Sequence, residues 1–128
     1  MFTVRTFLGK SSIEGMGCMA GEFIPKGTVI WKFQENFDVR LSDQQFQQLP
    51  PVAQEFVLHF GYYNRKEGGY ILCMDHARYT NHSDNPNMKM VDENYSIAIR
   101  DIQEGEEITE DYFYFDEQAS MKLRKKRD

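Results

Sequence analysis

Three short stretches carry the residues whose types and spacing could do chemistry. Asn81, His82, Ser83, Asp84, Asn85 and Asn87 crowd around Pro86 in one run. Side chains of this kind bond to backbone, so the run reads either as a polar turn held by its own Asn and Ser groups or as a binding loop. His82 is read as packed, not as a general base. Gly15 and Gly17 flank Met16. Glycine lets backbone approach a ligand closely, although ordinary turns use it too. No helical pattern opens after this pair, which argues against a phosphate-binding fingerprint. Tyr112 closes an acidic stretch and opens an aromatic one, Phe113, Tyr114 and Phe115. Aromatic faces attract cations, so these rings could hold a positively charged ligand or simply pack as core.

Taken in order, these stretches are GMGCMAGEFIPKGTVIWK from Gly15 to Lys32, ARYTNHSDNPN from Ala77 to Asn87, and AIRDIQEGEEITEDY from Ala98 to Tyr112. Together they resemble the SET family of lysine methyltransferases, matching its early GxG turn, its RFxNHSxxPN segment and its AxRxIxxGEELTxDY segment. The likeness covers nearly the whole chain and is nearest to the short stand-alone members of bacteria and viruses. It implies a mostly-β fold of several short sheets, with a C-terminal pseudoknot formed where the NHS and DY segments thread together. It implies methyl transfer from S-adenosylmethionine to a lysine side chain of a protein substrate, a histone or histone-like protein or another cytosolic protein.

The resemblance also assigns residues. The backbone of Gly15, Met16, Gly17 and Cys18 would cradle the cofactor's amino-acid end. Asn81 and His82 would contact the cofactor through amide and backbone groups. Tyr112 would stand beside the transferred methyl and the lysine nitrogen as the catalytic residue. Phe113 or Phe115 would pack on the adenine, since strand alternation sends neighbours to opposite sides. Tyr63 or Tyr70 would wall the lysine channel, with Glu110 beside it. Arg78 and Asp111 would be structural, each satisfying buried backbone or the other's charge.

Such a reaction makes three demands. The amine must lose its proton, because a lysine with a pKa of about 10.4 is almost wholly charged at neutral pH. It must line up behind the methyl–sulfur bond, and water must be excluded. A narrow aromatic channel serves all three. Desolvation disfavours the ammonium. Rigid walls enforce near-attack geometry, where effective molarities of order 10⁵ M are reached.

Two departures from the family pattern bear on function. Asp84 stands where many nuclear members place a zinc-binding Cys, and no cysteine follows Cys73. No metal is therefore expected, and another element must close the channel: residues 113–115, the terminal helix, or a second copy of the chain. Glu110 stands where Phe or Tyr is common and helps set how many methyls are added. A carboxylate there would stabilise the ammonium and oppose its deprotonation. This leaves open a second reading, a SET-fold module that binds peptide or cofactor with little or no turnover.

The chain of 128 residues, 41% hydrophobic, suits one domain with a core of its own. A net charge of −5 argues against direct nucleic-acid binding and suits a cationic partner. Two cysteines without a CxxC suggest packed thiols in a reducing compartment. The first residues lack the apolar run of a signal peptide or membrane span. These features point to an intracellular, by default cytoplasmic, protein, or to the host nucleus if the source is viral. The basic run Lys122 to Arg127, within a tail over 122–128, is read as a solvated end.

The elements that must position these residues follow from pattern. Strands are expected over Phe2 to Leu8, Thr28 to Phe33, Phe37 to Leu41 and Tyr70 to Met74. Gly9 to Gly21 reads as a glycine-rich loop. A helical insert over about 42–61 has Ser42 and Gln45 as a capping box, Pro51 in a first turn and Gly61 at an end. Its faces carrying Phe46, Leu49, Phe56, Val57 and Phe60 are expected in the core. A hairpin joins Met88 to Val91 with Tyr95 to Arg100. Strand character returns at Ile108 and from Asp111 to Phe115, and a helix is expected over about 117–127. The many short strands exclude an α/β nucleotide-binding architecture.

Overall fold

The computed structural model describes residues 1–92, 95–116, 119, 122 and 123. Its strands form three small sheets. The first joins β1 (Thr6–Lys10), β2 (Met16–Ala20), β10 (Glu107–Glu110) and β7 (Asn81–His82) in the order β1-β2-β10-β7. The second has β3 (Val29–Lys32), β9 (Tyr95–Ala98) and β8 (Met88–Asp92), in that order. The third places β6 (Gly69–Leu72) between β4 (Val39–Ser42) and β5 (Tyr62–Asn64). Helices α1 (Asp43–Gln47) and α2 (Pro51–Phe60) fill the connection from β4 to β5.

The sheets meet over an apolar core in which Ile24, Ile30, Ile102 and Ile108 are almost wholly shielded from solvent. Cys18, Trp31, Ile71 and Met88 join the same cluster. Burial pushes the Cys18 and Cys73 thiols up to about 12, so both remain neutral packing groups.

Local chemistry explains several boundaries. Ser42 Oγ accepts from the Gln45 amide at 3.1 Å while Gln45 Oε1 accepts from the Ser42 amide at 2.9 Å, the reciprocal capping box read from sequence. Pro51 opens α2, and Gly61 ends it by donating to the Val57 carbonyl at 2.8 Å. The expected loop over Gly9 to Gly21 is instead a hairpin. β1 and β2 pair antiparallel from Thr6↔Ala20 to Lys10↔Met16. Gly15, at φ 50°, closes its turn in the left-handed region. The first strand starts later than expected, because residues before Thr6 pair elsewhere: Phe2 bridges Trp31, and the Thr3 amide donates to Ile30 O.

Three further expectations need correction. Of the helical-insert residues assigned to the core, Val57 alone is fully buried, and Phe56 is 42% exposed with its ring against Phe60. A strand over Tyr62–Asn64 was not anticipated. Residues Tyr112–Tyr114 form a 3-10 turn and not a strand, started by Asp111, whose carboxylate accepts from the Phe113 amide at 3.0 Å. The expected hairpin forms as β8 and β9, with its turn at 93–94 outside the described residues. Most of the expected terminal helix and most of the basic tail also lie outside them.

One polar side chain ties the strand carrying Glu110 into the core. Asn87 is 1% exposed. Its amide nitrogen donates to Glu107 O at 2.7 Å and Glu106 Oε2 at 3.0 Å, and its oxygen accepts from the Thr109 amide at 2.9 Å. A side chain thus replaces a missing strand neighbour. Asn87→Ala strips these bonds from a buried site and is expected to destabilise the fold by about 2–4 kcal/mol in urea titration, since each unsatisfied buried group costs about 1–3 kcal/mol.

Candidate active site

Two cavities meet at Tyr112. The first is a cleft of about 170 Å³ bordered by Glu14, Gly15, Met16, Arg78, Asn81 and Tyr112. The second is a slot of about 50 Å³ whose walls include Trp31, Tyr62, Tyr112 and Phe115, with Glu110 and Asp116 as its carboxyl groups. His59, Phe60, Arg78, Thr80 and Tyr112 belong to both.

The cleft is assembled by pairing between segments far apart in sequence. β10 runs antiparallel to β2 through Ile108↔Cys18 and parallel to β7 through Thr109↔Asn81 and Glu110↔His82. The Ser83 amide then donates to Glu110 O at 2.9 Å. These pairings bring the NHS segment, the GxG turn and the residues before Tyr112 into one sheet. Asn81 Nδ2 reaches across it, donating to Glu14 O and Met16 O, each at 3.2 Å, and to Glu107 Oε2 at 3.0 Å. Glu107 also accepts from Ser11 Oγ at 2.8 Å. The turn that borders the cleft is therefore held open by Asn81 and Glu107. Gly17 belongs to the same arrangement, because a Cβ there would lie 2.6 Å from Glu107 Oε2.

His82 positions Tyr112. Its Nδ1 accepts from the Tyr112 amide at 3.1 Å and its Nε2 faces Asp84 Oδ1 at 2.9 Å. An Nδ1 that accepts and an Nε2 that donates define the neutral Nε2–H tautomer. The ring also packs edge-on against Tyr112, with centroids 5.4 Å apart.

Tyr112 is buried, and its hydroxyl donates to Thr80 O. Desolvation pushes its phenol well above the usual range, and the Glu110 carboxylate pushes it the same way. The phenol therefore stays protonated at every physiological pH. Glu110 is buried too and accepts from Ser96 Oγ at 3.0 Å. Its carboxyl is raised from near 4.5 to about 7 by burial, which outweighs the opposing Ser96 bond. Its charged form is therefore disfavoured relative to an exposed carboxylate. The objection that a full carboxylate charge would sit beside the amine is thus weakened.

Of the residues singled out from sequence, Gly15, Met16, Asn81, Glu110, Tyr112 and Phe115 converge on these two cavities, whereas His82 borders neither. Others do not. Gly17 and Cys18 lie inside the ladder, paired with Gly9 and Leu8, and neither borders the cleft. The Cys18 thiol points away, donating to His76 O. Tyr63 and Tyr70 leave the channel: their rings pack together 5.1 Å apart, and Tyr70 lies 4.4 Å from Phe46 of α1. Tyr63 OH donates to Asp43 at 3.1 Å. The tyrosine in the slot is Tyr62, which alternates to the opposite face of β5 and packs on Phe115 at 5.1 Å. Phe115 turns into the slot, while Phe113 is 61% exposed beside the His82 ring. Arg78 bonds backbone as expected, its Nε donating to Cys73 O at 2.9 Å, but it also borders both cavities. Sequence reasoning missed Trp31, Thr80 and Asp116, which carry no local signal. The buried Trp31 Nε1 has no hydrogen-bond acceptor among the described residues.

Residues 15–113 match the sequence model of the SET domain. The chain belongs to the SET domain family. This SET chain superimposes on a Plasmodium falciparum candidate histone methyltransferase with a TM-score of 0.61 and 24% identity, covering 86% of this chain and 94% of that one. It is similar to a humanized mutant of the Chaetomium thermophilum Polycomb Repressive Complex 2 bound to an inhibitor, at a TM-score of 0.61 and 25% identity. That match covers 88% of this chain but only 15% of the other. A ctPRC2 structure in an autoinhibited state gives a TM-score of 0.65 at 22% identity, over 97% and 17% of the two chains. No curated protein sequence matches the chain.

Proposed function

We propose that this SET chain transfers a methyl group from S-adenosylmethionine to the side-chain amine of a lysine in a protein. The observation that carries this reading is the meeting of a polar cleft and an aromatic slot at one protonated phenol, Tyr112. Support also comes from membership of the SET family and from the likeness to a candidate histone methyltransferase.

The residues present fit the cofactor's polar end. Glu14 and Arg78 give the cleft one residue of each charge, which suits a zwitterion. Its volume of about 170 Å³ lies below the roughly 300–1,000 Å³ of sites enclosing a whole drug-sized ligand, so it takes the amino-acid end and leaves the rest outside. The exposed Phe113 ring beside His82 then suits the adenine. The cofactor supplies the activated methyl. The chain does the rest: Asn81 and Glu107 hold the turn of the cleft, His82 orients Tyr112, and Trp31, Tyr62 and Phe115 exclude water from the amine. A lysine-bearing histone or other basic protein is the substrate class, in keeping with the net charge of −5.

Calorimetry of S-adenosylmethionine with the wild type and Asn81→Ala tests the reading. Saturable one-to-one binding is expected, weakened about tenfold or more by the substitution, because the turn loses bonds together worth at least about 1.4 kcal/mol. A well-folded sample without binding would sink the proposal. Binding without methyl transfer to any protein of a native lysate would favour the turnover-free module.

A further inference from the structure

The basic tail does not begin in solvent. Lys122 sends its ammonium into the slot behind Tyr112, where it pairs with Asp116 Oδ2 at 2.7 Å. The Asp116 side chain is 1% exposed and that of Lys122 is 14% exposed. The same nitrogen donates to Gly61 O and stands 5.8 Å from the centroid of the Tyr112 ring. Lysine is among the residues least often buried, and holding it costs side-chain entropy and desolvation. A carboxylate and a carbonyl offset that cost here. It lies where the methyl-transfer reading puts an acceptor lysine: in an aromatic-walled slot that shares Tyr112 with the polar cleft.

We propose that Lys122 is itself a methyl-acceptor site, modified in cis by its own chain. This rests on the methyl-transfer reading above. The Lys122 ammonium gives one proton to the adjoining Asp116 carboxylate. The lone pair of the resulting amine forms a bond to the sulfonium methyl carbon of S-adenosylmethionine. The carbon–sulfur bond breaks, its electron pair stays on sulfur, and S-adenosylhomocysteine leaves. The nitrogen is now a methylammonium, and Asp116 releases its proton to water and pairs with it again. A sulfonium bound in the cleft that shares Tyr112 would disfavour a neighbouring ammonium and so promote the first proton transfer. Because the acceptor is already in the slot, no encounter step is needed, and the gain is that of a tethered reactant.

Two measurements on the full chain decide the matter. In the first, purified protein is incubated with S-adenosylmethionine at protein concentrations about tenfold apart, and methylated peptides are mapped by mass spectrometry. One added methyl on Lys122 is expected, with a rate constant independent of protein concentration, and none at that position in Lys122→Arg. Methyl on other lysines alone, a rate that scales with protein concentration, or no methyl despite calorimetric cofactor binding would each overturn the inference. The last of these leaves the proposed function standing, whereas failure of the cofactor to bind removes both. The second measurement uses no cofactor. Brief treatment with acetic anhydride should modify Lys122 about tenfold or more slowly than the exposed Lys26, because a side chain 14% exposed in a closed slot is shielded from the reagent. Equal rates would overturn the placement of Lys122 in the slot.

Discussion

Tyr112→Phe is expected to lower methyl transfer by about 10²–10³-fold, the loss typical of deleting one preorganised hydrogen-bonding group at a reacting centre. The phenol stands where the cleft and the slot join, and its hydroxyl is fixed by donation to Thr80 O. Because burial keeps it protonated, the proposed transfer would use it as a constant dipole and not as a proton shuttle. Its oxygen is the group available for weak C–H···O contacts with a methyl at the junction. The ring of the variant keeps the contacts with His82 and Phe115, at 5.4 and 5.8 Å between centroids, so the fold should survive. Loss of the buried bond to Thr80 costs about 1–3 kcal/mol of stability. Tritiated methyl incorporation into core histones and into the chain itself, read beside calorimetric cofactor affinity, checks this. An unchanged rate refutes the role of the hydroxyl. A rate lost together with cofactor binding would make Tyr112 a wall of the cleft and no more.

Glu110→Gln should stabilise the protein above neutral pH and abolish one component of its pH dependence. The sign follows from the raised carboxyl. Glu110 titrates near 7 in the folded chain and near 4.5 when exposed, so between these values the folded state holds a proton that the unfolded state has released. Stability therefore falls as pH rises from about 4.5 to about 7 and levels off above. The full effect is about 3 kcal/mol, at about 1.4 kcal/mol for each tenfold change in the acid dissociation constant. Glutamine can still accept from Ser96, which bonds Glu110 at 3.0 Å, and it carries no charge to desolvate. Urea titrations at pH 5, 7 and 8.5 should show the wild type losing stability and the variant holding it. A slope that persists in the variant would place its origin in another group.

Some of this architecture is written in short-range chemistry and is legible in the sequence. The Ser42–Gln45 capping box, Pro51 at a helix start and the strand at residues 29–32 depend on neighbours within a few positions. The turn and second strand of the β1–β2 hairpin read as a loop because small residues there hide the alternation that marks a strand. The segment after Asp111 reads as a strand, yet an Asp side chain capturing a backbone amide makes a turn out of the aromatic run.

The site divides along the same line. The sequence alone determined family membership and the convergence of Gly15, Asn81 and Tyr112, because those motifs carry their own order and spacing along the chain. Which aromatic rings face the slot was decided only by tertiary structure. Tyr62 and Tyr63 alternate on one strand, and alternation says that they diverge without saying which side meets the rest of the molecule. Packing of α1 against β6 holds Tyr63 and Tyr70 away from the slot, and Phe115 draws Tyr62 in. Asp116 and Lys122 were invisible for the same reason. A carboxylate and an ammonium near a chain end read as solvated until folding closes a slot around them, and only that closure turns an ordinary surface pair into a buried one.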